Sequence, residues 1–583
     1  MNPRLQTTDH QADLCVVGGG MAGLCAALAA CRHGARTILM HDRPVLGGNA
    51  SSECRMHICG ADRSNALPHL RETGILEELR LEALYHNPTR SFSVWDLVLY
   101  EKAMAEPNLT LLLNCSCLDT ATQGARIESV TGWQTTTQAY HRVRAAVYAD
   151  CSGDGILAPL SGARCRMGRE GRGEFGESLA PPQADKRTMG MTCLFGARRC
   201  DTPQRFVPPA WAQRFEDCEQ LPEGACGHGY WEQGYWWIEL GGECDTIRDA
   251  ETIRHELLRI TLGVWDHIKN SGKHDADHWA LDWIQFLPAK RESRRYVGDH
   301  ILTQNDIQAG GCFDDMVAYG GWPMDDHDPA GFRAVSLGRP ATVFHPSPSP
   351  YGIAYRCLYS QNVDNLLFAG RNASYTHIAA SSTRVMGTCA VTGQAVGTAA
   401  ALAAGEGLSP RQVGSRIGDL QRMLLRDDCY LPGLRRPLSS VHGQARCVSS
   451  SGAPCPLADG TDRQVGEVSH AWVCPQDGWA GYEFAAPTRV REVTLVLDSG
   501  MDQLVASIFQ EGFCSLTQMP PAMPRDFRLE VRREGDWEAV CRVSDNHQRH
   551  VRLPLDVECA GVRFVLERTW GATQSRVYGF YVE

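Results

Sequence analysis

Nowhere in the chain do lysines and arginines gather into a run interleaved with aromatics, and the formal charge at neutral pH is −11. Gripping a phosphate backbone or an anionic bilayer calls for the opposite balance, so neither nucleic acid nor membrane is an expected partner. A stretch of about 18 apolar residues able to span a bilayer is also missing. The alanine-rich segment at 387–404 is broken by glycines and reads as a buried helix. Residues 1–13 are polar and hold no apolar leader core. The 24 cysteines include no C-x-x-C pair; Cys54 and Cys59 do not form one, nor do Cys193, Cys200, Cys218, Cys226 and Cys244. Scattered thiols of this kind are expected to be reduced core residues. That argues for a cytoplasmic protein without a disulfide framework and without a metal site.

What is present is an ordinary globular composition, 43% hydrophobic and 21% charged. At 583 residues the chain exceeds one core, and two or three domains are expected. Such a composition leaves self-association into a homo-oligomer open.

Residues 14–53 organise the rest. An apolar run at 14–17 ends in glycines, and Gly18, Gly20 and Gly23 supply a G-x-G-x-x-G spacing around Met21 and Ala22. Gly18 permits a tight turn, Gly20 lets backbone amides approach a pyrophosphate, and Gly23 allows close helix–strand packing. The phosphate would sit at the positive end of the following helix. A second strand at 37–40 is closed by His41 and Asp42, about where an acid holds a ribose hydroxyl. Arg43 follows, then a second glycine pair, Gly47 and Gly48, with Asn49, Ala50 and Ser51. Strand, turn, helix, strand and acid in order mark a dinucleotide site. The second glycine loop resembles that of the two-dinucleotide-binding-domain flavoproteins, which implies FAD, with this loop running along the pyrophosphate and ribitol.

The chain then continues toward the flavin through 54–61, where His57 is a candidate for the active site or for a covalent flavin link. Residues 67–84 read as a charged surface helix and 91–106 as a helix with Trp95, Leu97, Val98 and Met104 inward. Strands are expected at 109–114, 116–119, 127–133 and 140–147. A further apolar strand ends at Asp150, followed by Gly153 and Asp154 in a segment resembling the flavoprotein ATGDG element.

Residues 161–345 form the expected substrate-binding insertion. Its aromatic stretch carries Tyr230, Trp231, Tyr235, Trp236, Trp237, Trp265, Trp279 and Trp283. Most are expected in the core, with one or two facing substrate. Arg291, Arg294 and Arg295 surround Glu292; they make either a structural network or a clamp for a substrate carboxylate or the flavin pyrimidine edge. His327, beside Asp325 and Asp326, is the leading candidate for taking a hydroxyl proton; Tyr355 and Arg356 follow as further candidates.

Residues 363–372 read as a strand ending in Gly370 and Arg371, and 386–404 as a small-residue helix. In the flavoproteins it resembles, this helix points its N-terminus at the flavin, which would place His377, Arg384, Gly387 and Thr388 nearby. Reduction leaves negative charge there, which a helix N-terminus stabilises.

Taken together, GGGMAGL, DRPVLGGNASSE, the 235–242 run, KRESRR, YGGWPMDDHD, NLLFAGRN and the 382–403 segment resemble the bacterial FAD-dependent oxidoreductase family related to fumarate-reductase-type flavoproteins. One departure is His41, where many flavoproteins place a glutamate; the ribose contact is then left between His41 and Asp42.

From about 446, short alternating runs at 490–497, 527–532, 537–543, 551–555, 561–566 and 577–582 argue for a β-sandwich, resembling the discoidin-like, galactose-binding-like modules. Trp472, Trp479 and Trp570 are its candidate sugar-stacking residues. The expected fold is thus α/β: a Rossmann-like FAD domain from 1–160 and 346–405, an α+β insertion at 161–345, a helical connector at 406–445 and an all-β sandwich at 446–583. The expected activity is hydride transfer between flavin N5 and a small polar substrate, with a carbohydrate or sugar-derived alcohol as the expected class. The alternatives are a flavin-dependent C=C reductase and a glycan-binding protein holding FAD structurally.

Overall fold

The computed structural model describes residues 5–222, 231–232, 238–452, 456–503 and 516–583. β1 (Thr7–Val17) lies at the centre of a seven-stranded sheet, with β2 (Thr37–Met40) and then β3 (Leu109–Leu112) parallel on one side. On the other side lies β6 (Ala139–Asp150), which pairs in parallel with β1 along its length and antiparallel with β5 (Arg126–Gln134), itself paired with β4 (Cys115–Gln123). The strand Leu366–Phe368 adds in parallel to β6. The two strands expected at 140–147 and before Asp150 are therefore one. Its first half closes the antiparallel excursion while the whole of it feeds the parallel sheet. The carboxyl ends of β1, β2 and β6 face one crevice, the place where open α/β sheets bind ligands.

Helix α1 (Met21–Arg32) is buried along nearly its whole length. It can be, because the helix Met386–Glu406 crosses it on glycines. A Cβ on Gly393 would lie 2.1 Å from the Ala22 carbonyl oxygen, and one on Gly397 2.0 Å from that of Ala26.

The insertion has its own core around Phe195, Leu257, Val264, Trp265 and Ile268, built on the helix Ala250–Asn270 and the strand pair Phe195–Arg199 with Trp279–Ile284. Trp265 is fully buried, Trp279 packs edge-on against Trp231, and Arg55 lies 4.4 Å over Trp283. None of these four lines the crevice. Tyr230, Tyr235, Trp236 and Trp237 lie outside the described residues.

Residues 67–84 are not a surface helix. The helix begins at Ile75 and runs to His86, and Arg71, Glu72, Glu77 and Arg80 are all buried. The cause is the C-terminal module, which covers them. Arg71 is held bidentate by Glu77 at 2.9 Å and also donates to the carbonyls of Ser499 and Gly500. Arg463 reaches back to Thr73 Oγ1 at 2.7 Å, and Arg549 pairs with Asp428 at 2.9 Å. An apolar seam of Leu81, Leu84, Met519 and Met523 runs beside them.

The module itself is an antiparallel all-β sandwich with a separate core. Several expected strands merge into Trp479–Leu497 and His550–Thr569, because bulges bend these long strands without ending them. In the connector, the helix Ile417–Arg426 packs Leu420 and Leu424 into the main core. Cys447, on the exposed strand Ala445–Ser449, is disulfide-bonded, so the expectation of reduced thiols throughout fails there; the buried cysteines such as Cys15, Cys25 and Cys151 are free.

Candidate active site

The crevice is a cleft of about 900 Å3. At one end it is made by the two glycine turns. Gly18 has φ +102°, and a Cβ there would lie 2.5 Å from the Cys151 backbone. The Gly47 N–H donates to Gly19 O at 2.9 Å, and a Cβ on Gly48 would come within 3.0 Å of Gly20 Cα. Gly20 differs: a Cβ on it would meet only Gly48 Cα, at 3.9 Å. Nothing in the protein requires glycine there, whereas a ligand lying against the turn would. No side chain caps α1, so its first-turn amides are left for an anion. These features fit a pyrophosphate.

His41 does not take the ribose role. Its Nδ1 accepts from the Gly19 N–H at 3.0 Å and its Nε2–H donates to Val45 O at 3.0 Å. Burial drives its pKa down to about 4, so it is a neutral spacer that shapes the turn. Asp42, exposed at the mouth of the same cleft, is the remaining acceptor at the end of β2.

The turn after β6 is fixed by Asp150, which accepts from Ser152 N, Leu157 N and the Tyr296 hydroxyl. Next to it, Asp154 sits between Lys290 at 2.7 Å and Arg371 at 2.9 Å. Burial opposes its charge, but these two cations hold its carboxyl well below the usual range.

At the other end lie His57, Cys59, Arg291, Trp322, Asp325, His327, Phe344 and Arg384. The strand Met324–His327 pairs with Thr342–His345. Alternation along it puts Asp325 and His327 on the cleft face and turns Asp326 to the other side. His327 Nδ1 lies 2.6 Å from Glu239 and Nε2 lies 3.2 Å from Asp325. Carboxylates only accept, so both ring nitrogens carry protons and the ring is an imidazolium. Burial works against that charge, but Glu239 and Asp325 outweigh it and raise the pKa. Arg384 Nη2 reaches Asp325 at 3.0 Å, and Arg291 lies 3.3 Å from Glu239. The resulting chain, Arg291–Glu239–His327–Asp325–Arg384, has three cationic and two anionic members, an excess of one positive charge on the cleft wall. Trp322 Nε1 and Arg384 Nε are buried without a hydrogen-bond partner.

A second network runs behind the wall. His377 Nδ1 meets Glu292 at 2.8 Å and Nε2 meets Asp326 at 3.2 Å, while Arg295 joins Glu292 to Glu170. Burial opposes protonation of His377, yet Glu292 and Asp326 raise its pKa to about 10. The arginine cluster thus divides. Arg295 is structural and fully buried, Arg291 lines the cleft, and Arg294 donates to the Asp154 carbonyl.

Of the sequence-derived residues, Gly18, Gly20, Met21, Ala22, His41, Asp42, Arg43, Gly47, Gly48, Asn49, His57, Gly153, Asp154, Arg291, Asp325, His327, Gly370, Arg371 and Arg384 line this one cleft. Gly23, Ala50, Ser51, Arg294, Tyr355, Arg356, His377, Gly387 and Thr388 do not. Gly23 serves packing, because a Cβ there would lie 1.8 Å from Gly18 O. Ala50 is buried, and Ser51 closes the second turn by donating to Gly48 O at 2.7 Å. Gly387 gives its N–H to Cys59 O at 2.8 Å, Thr388 is fully buried, and Val385 and Met386 present the helix end to the cleft instead. Tyr355 is a core residue whose hydroxyl donates to Pro410 O, and Arg356 is a surface ion pair with Asp315. Glu239, Trp322 and Phe344 were not singled out from sequence. Glu239 is the lone acid in an otherwise apolar and aromatic run, which was the available signal.

Residues 13–424 match the family model described as FAD dependent oxidoreductase. The chain belongs to this family. FAD is accordingly its cofactor, and the glycine turns, the uncapped α1 and the open face of Gly20 fit it. Among solved structures, a geranylgeranyl bacteriochlorophyll reductase-like protein from Thermoplasma acidophilum is similar at 11% identity and TM-score 0.33, over 72% of this chain and 86% of that one. L-proline dehydrogenase from P. horikoshii matches at 17% identity and TM-score 0.17; the chain spans about a quarter of its length, 25% of this chain against 24% of that one. The family 32 carbohydrate-binding module of Streptococcus pneumoniae EndoD matches at 16% identity and TM-score 0.18, over 24% of this chain and 94% of that one. Likenesses of this size bear on nothing further. A comparison with curated proteins gives no match.

Proposed function

We propose that the protein oxidises a hydroxyl of a small polar substrate, a sugar or sugar-derived alcohol, with residues 1–160 and 346–405 holding FAD and 161–345 supplying the substrate wall. The observation that carries this reading is the Arg291–Glu239–His327–Asp325–Arg384 chain, whose arginines, His327 and Asp325 line the same cleft as the glycine turns while Glu239 stands behind them. FAD supplies the hydride acceptor. His327 Nε2, at the longer and weaker of its two contacts, receives the hydroxyl proton once the ring is neutral, while Nδ1 stays on Glu239 and fixes the ring. Arg291 and Arg384 stabilise negative charge growing on the substrate oxygen. Trp322 and Phe344 supply flat apolar faces, and the free indole N–H of Trp322 supplies a donor.

Anaerobic incubation of the holoenzyme with sugars, glycosides and hydroxy acids tests this by bleaching of the flavin band. His327→Ala is expected to keep FAD and lose bleaching; an unchanged rate removes His327 from the reaction.

The cationic resting wall also favours a second reading, reduction of a C=C bond conjugated to a carboxylate, with His327 as proton donor. Reoxidation of the reduced enzyme by unsaturated acids, with no bleaching by any alcohol, would select it. For a glycan-binding protein, the three candidate tryptophans of the module are poorly placed. Trp472 is in its core, Trp570 packs on Tyr85, and Arg563 covers Trp479 at 4.8 Å.

A further inference from the structure

We propose that Cys218, His267 and His274 form a structural zinc site in the insertion, independent of the function read above. No metal site is expected from the sequence, and the proposed one departs from that expectation because the three donors are brought together only by the fold. Cys218 Sγ lies 3.3 Å from His267 Nε2 and 3.7 Å from His274 Nε2, and the three donor atoms lie within 4.8 Å of one another. Zinc bonded to sulfur at about 2.3 Å and to imidazole at about 2.05 Å holds those atoms about 3.6 Å apart at the tetrahedral angle. The observed pairs bracket that value.

The tautomer is also set. His267 Nδ1 lies 3.0 Å from Phe215 O, and a carbonyl can only accept, so the proton is on Nδ1 and the Nε2 lone pair faces the thiol. Metal-binding histidines are fixed in the same way. His267 is buried in the last turn of the helix Ala250–Asn270, and His274 follows in the loop beyond it. The supporting loops are tied together without the metal. Lys273 pairs with Asp217 and donates to Glu216 O at 2.9 Å, and Lys269 donates to Asp277 O at 2.7 Å. One thiolate and two imidazoles suit zinc, with water or a further donor in the fourth position. The helix Ala250–Asn270 begins at Ala250 and Glu251, which line the cleft, so the metal pins its far end and steadies the substrate wall.

Holoenzyme from zinc-supplemented culture, dialysed against metal-free buffer, is expected to retain about one zinc per chain. Cys218→Ser and His274→Ala are expected to weaken zinc by at least about 100-fold, the upper end of what outer-shell changes alone cause, with FAD content kept. After chelation, cobalt(II) should give the wild type a thiolate-to-cobalt charge-transfer band that Cys218→Ser lacks; if the variants do not fold, the wild-type band decides alone. Holoenzyme with full FAD but no zinc and no such band would overturn the proposal. So would zinc retained by folded Cys218→Ser, or cobalt bound without the band, as it would be at Glu82, His86 and His547, the other such cluster among the described residues.

Discussion

Gly393→Ala and Gly397→Ala separate packing from cofactor binding. Each new methyl would meet an α1 carbonyl at close to 2 Å, that of Ala22 or Ala26, more than an ångström short of ordinary contact. Overpacking of this kind costs ~1–3 kcal/mol, and the better helix propensity of alanine returns ~1 kcal/mol. Both variants should therefore lose only ~0–2 kcal/mol of stability. Their effects on FAD differ. Ala22 lines the cleft in the first turn of α1, while Ala26 lies a turn deeper. Relief at Gly393 comes from moving the turn that receives the pyrophosphate, and FAD binding must restore it. The propensity gain is present with and without FAD and does not offset that strain. Gly393→Ala should thus weaken FAD by up to about 5- to 150-fold, and Gly397→Ala by no more than about twofold. Reconstitution of apoprotein followed by flavin fluorescence gives the affinities, and urea unfolding the stabilities. Equal losses of affinity, or none at Gly393, would refute the reasoning.

Other outcomes follow from the charge networks. Substrate oxidation requires neutral His327, whose pKa is raised by Glu239 and Asp325. Its kcat/KM should therefore climb with pH and level off only above the ordinary imidazole range; His327→Ala should flatten the profile and cut the rate by about 10²- to 10⁴-fold. His377, raised to about 10, contributes stability that is complete below its unfolded value and is lost as pH rises through about 10, so His377→Gln should flatten the alkaline limb of the stability profile. Glu77 is opposed by burial, but Arg71 lowers its pKa to about 2. Its contribution is present above the normal carboxylate value and fades as pH falls toward 2. Arg71→Met removes the bidentate partner of buried Glu77, leaving it Arg80 at 4.0 Å, and should cost up to about 3–5 kcal/mol in urea unfolding.

The nucleotide half of the cleft was legible because its parts are local. Gly18, Gly47 and Gly48 are set by left-handed backbone geometry, Gly23 by close packing and Gly20 by the room a ligand needs, and they occur within one strand–turn–helix and the loop after the next strand. The catalytic wall was half legible. His327 and Asp325 stand two apart on one strand, so their shared face follows from alternation. Glu239, 88 positions away, is brought to His327 only by the insertion's folding, and no local pattern encodes that. The same holds for His41, whose two backbone bonds removed it from the ribose role, and for helix Ile75–His86. Its charges read as solvent-facing until His547 and Gln548, from a module more than 450 residues later, closed over Glu82, with Arg463 covering the turn before it at Thr73. Gly387 was misplaced for a subtler reason: its amide is used by Cys59, a contact set by where residues 54–61 fold back.

The most direct measurement is a crystal structure of the FAD complex. The pyrophosphate should lie on the Gly20–Met21 amides, and the flavin ring should lie between His57 and Arg384, with its open face toward His327. A ring bound away from the Arg291–Glu239–His327–Asp325–Arg384 wall would contradict the proposed chemistry.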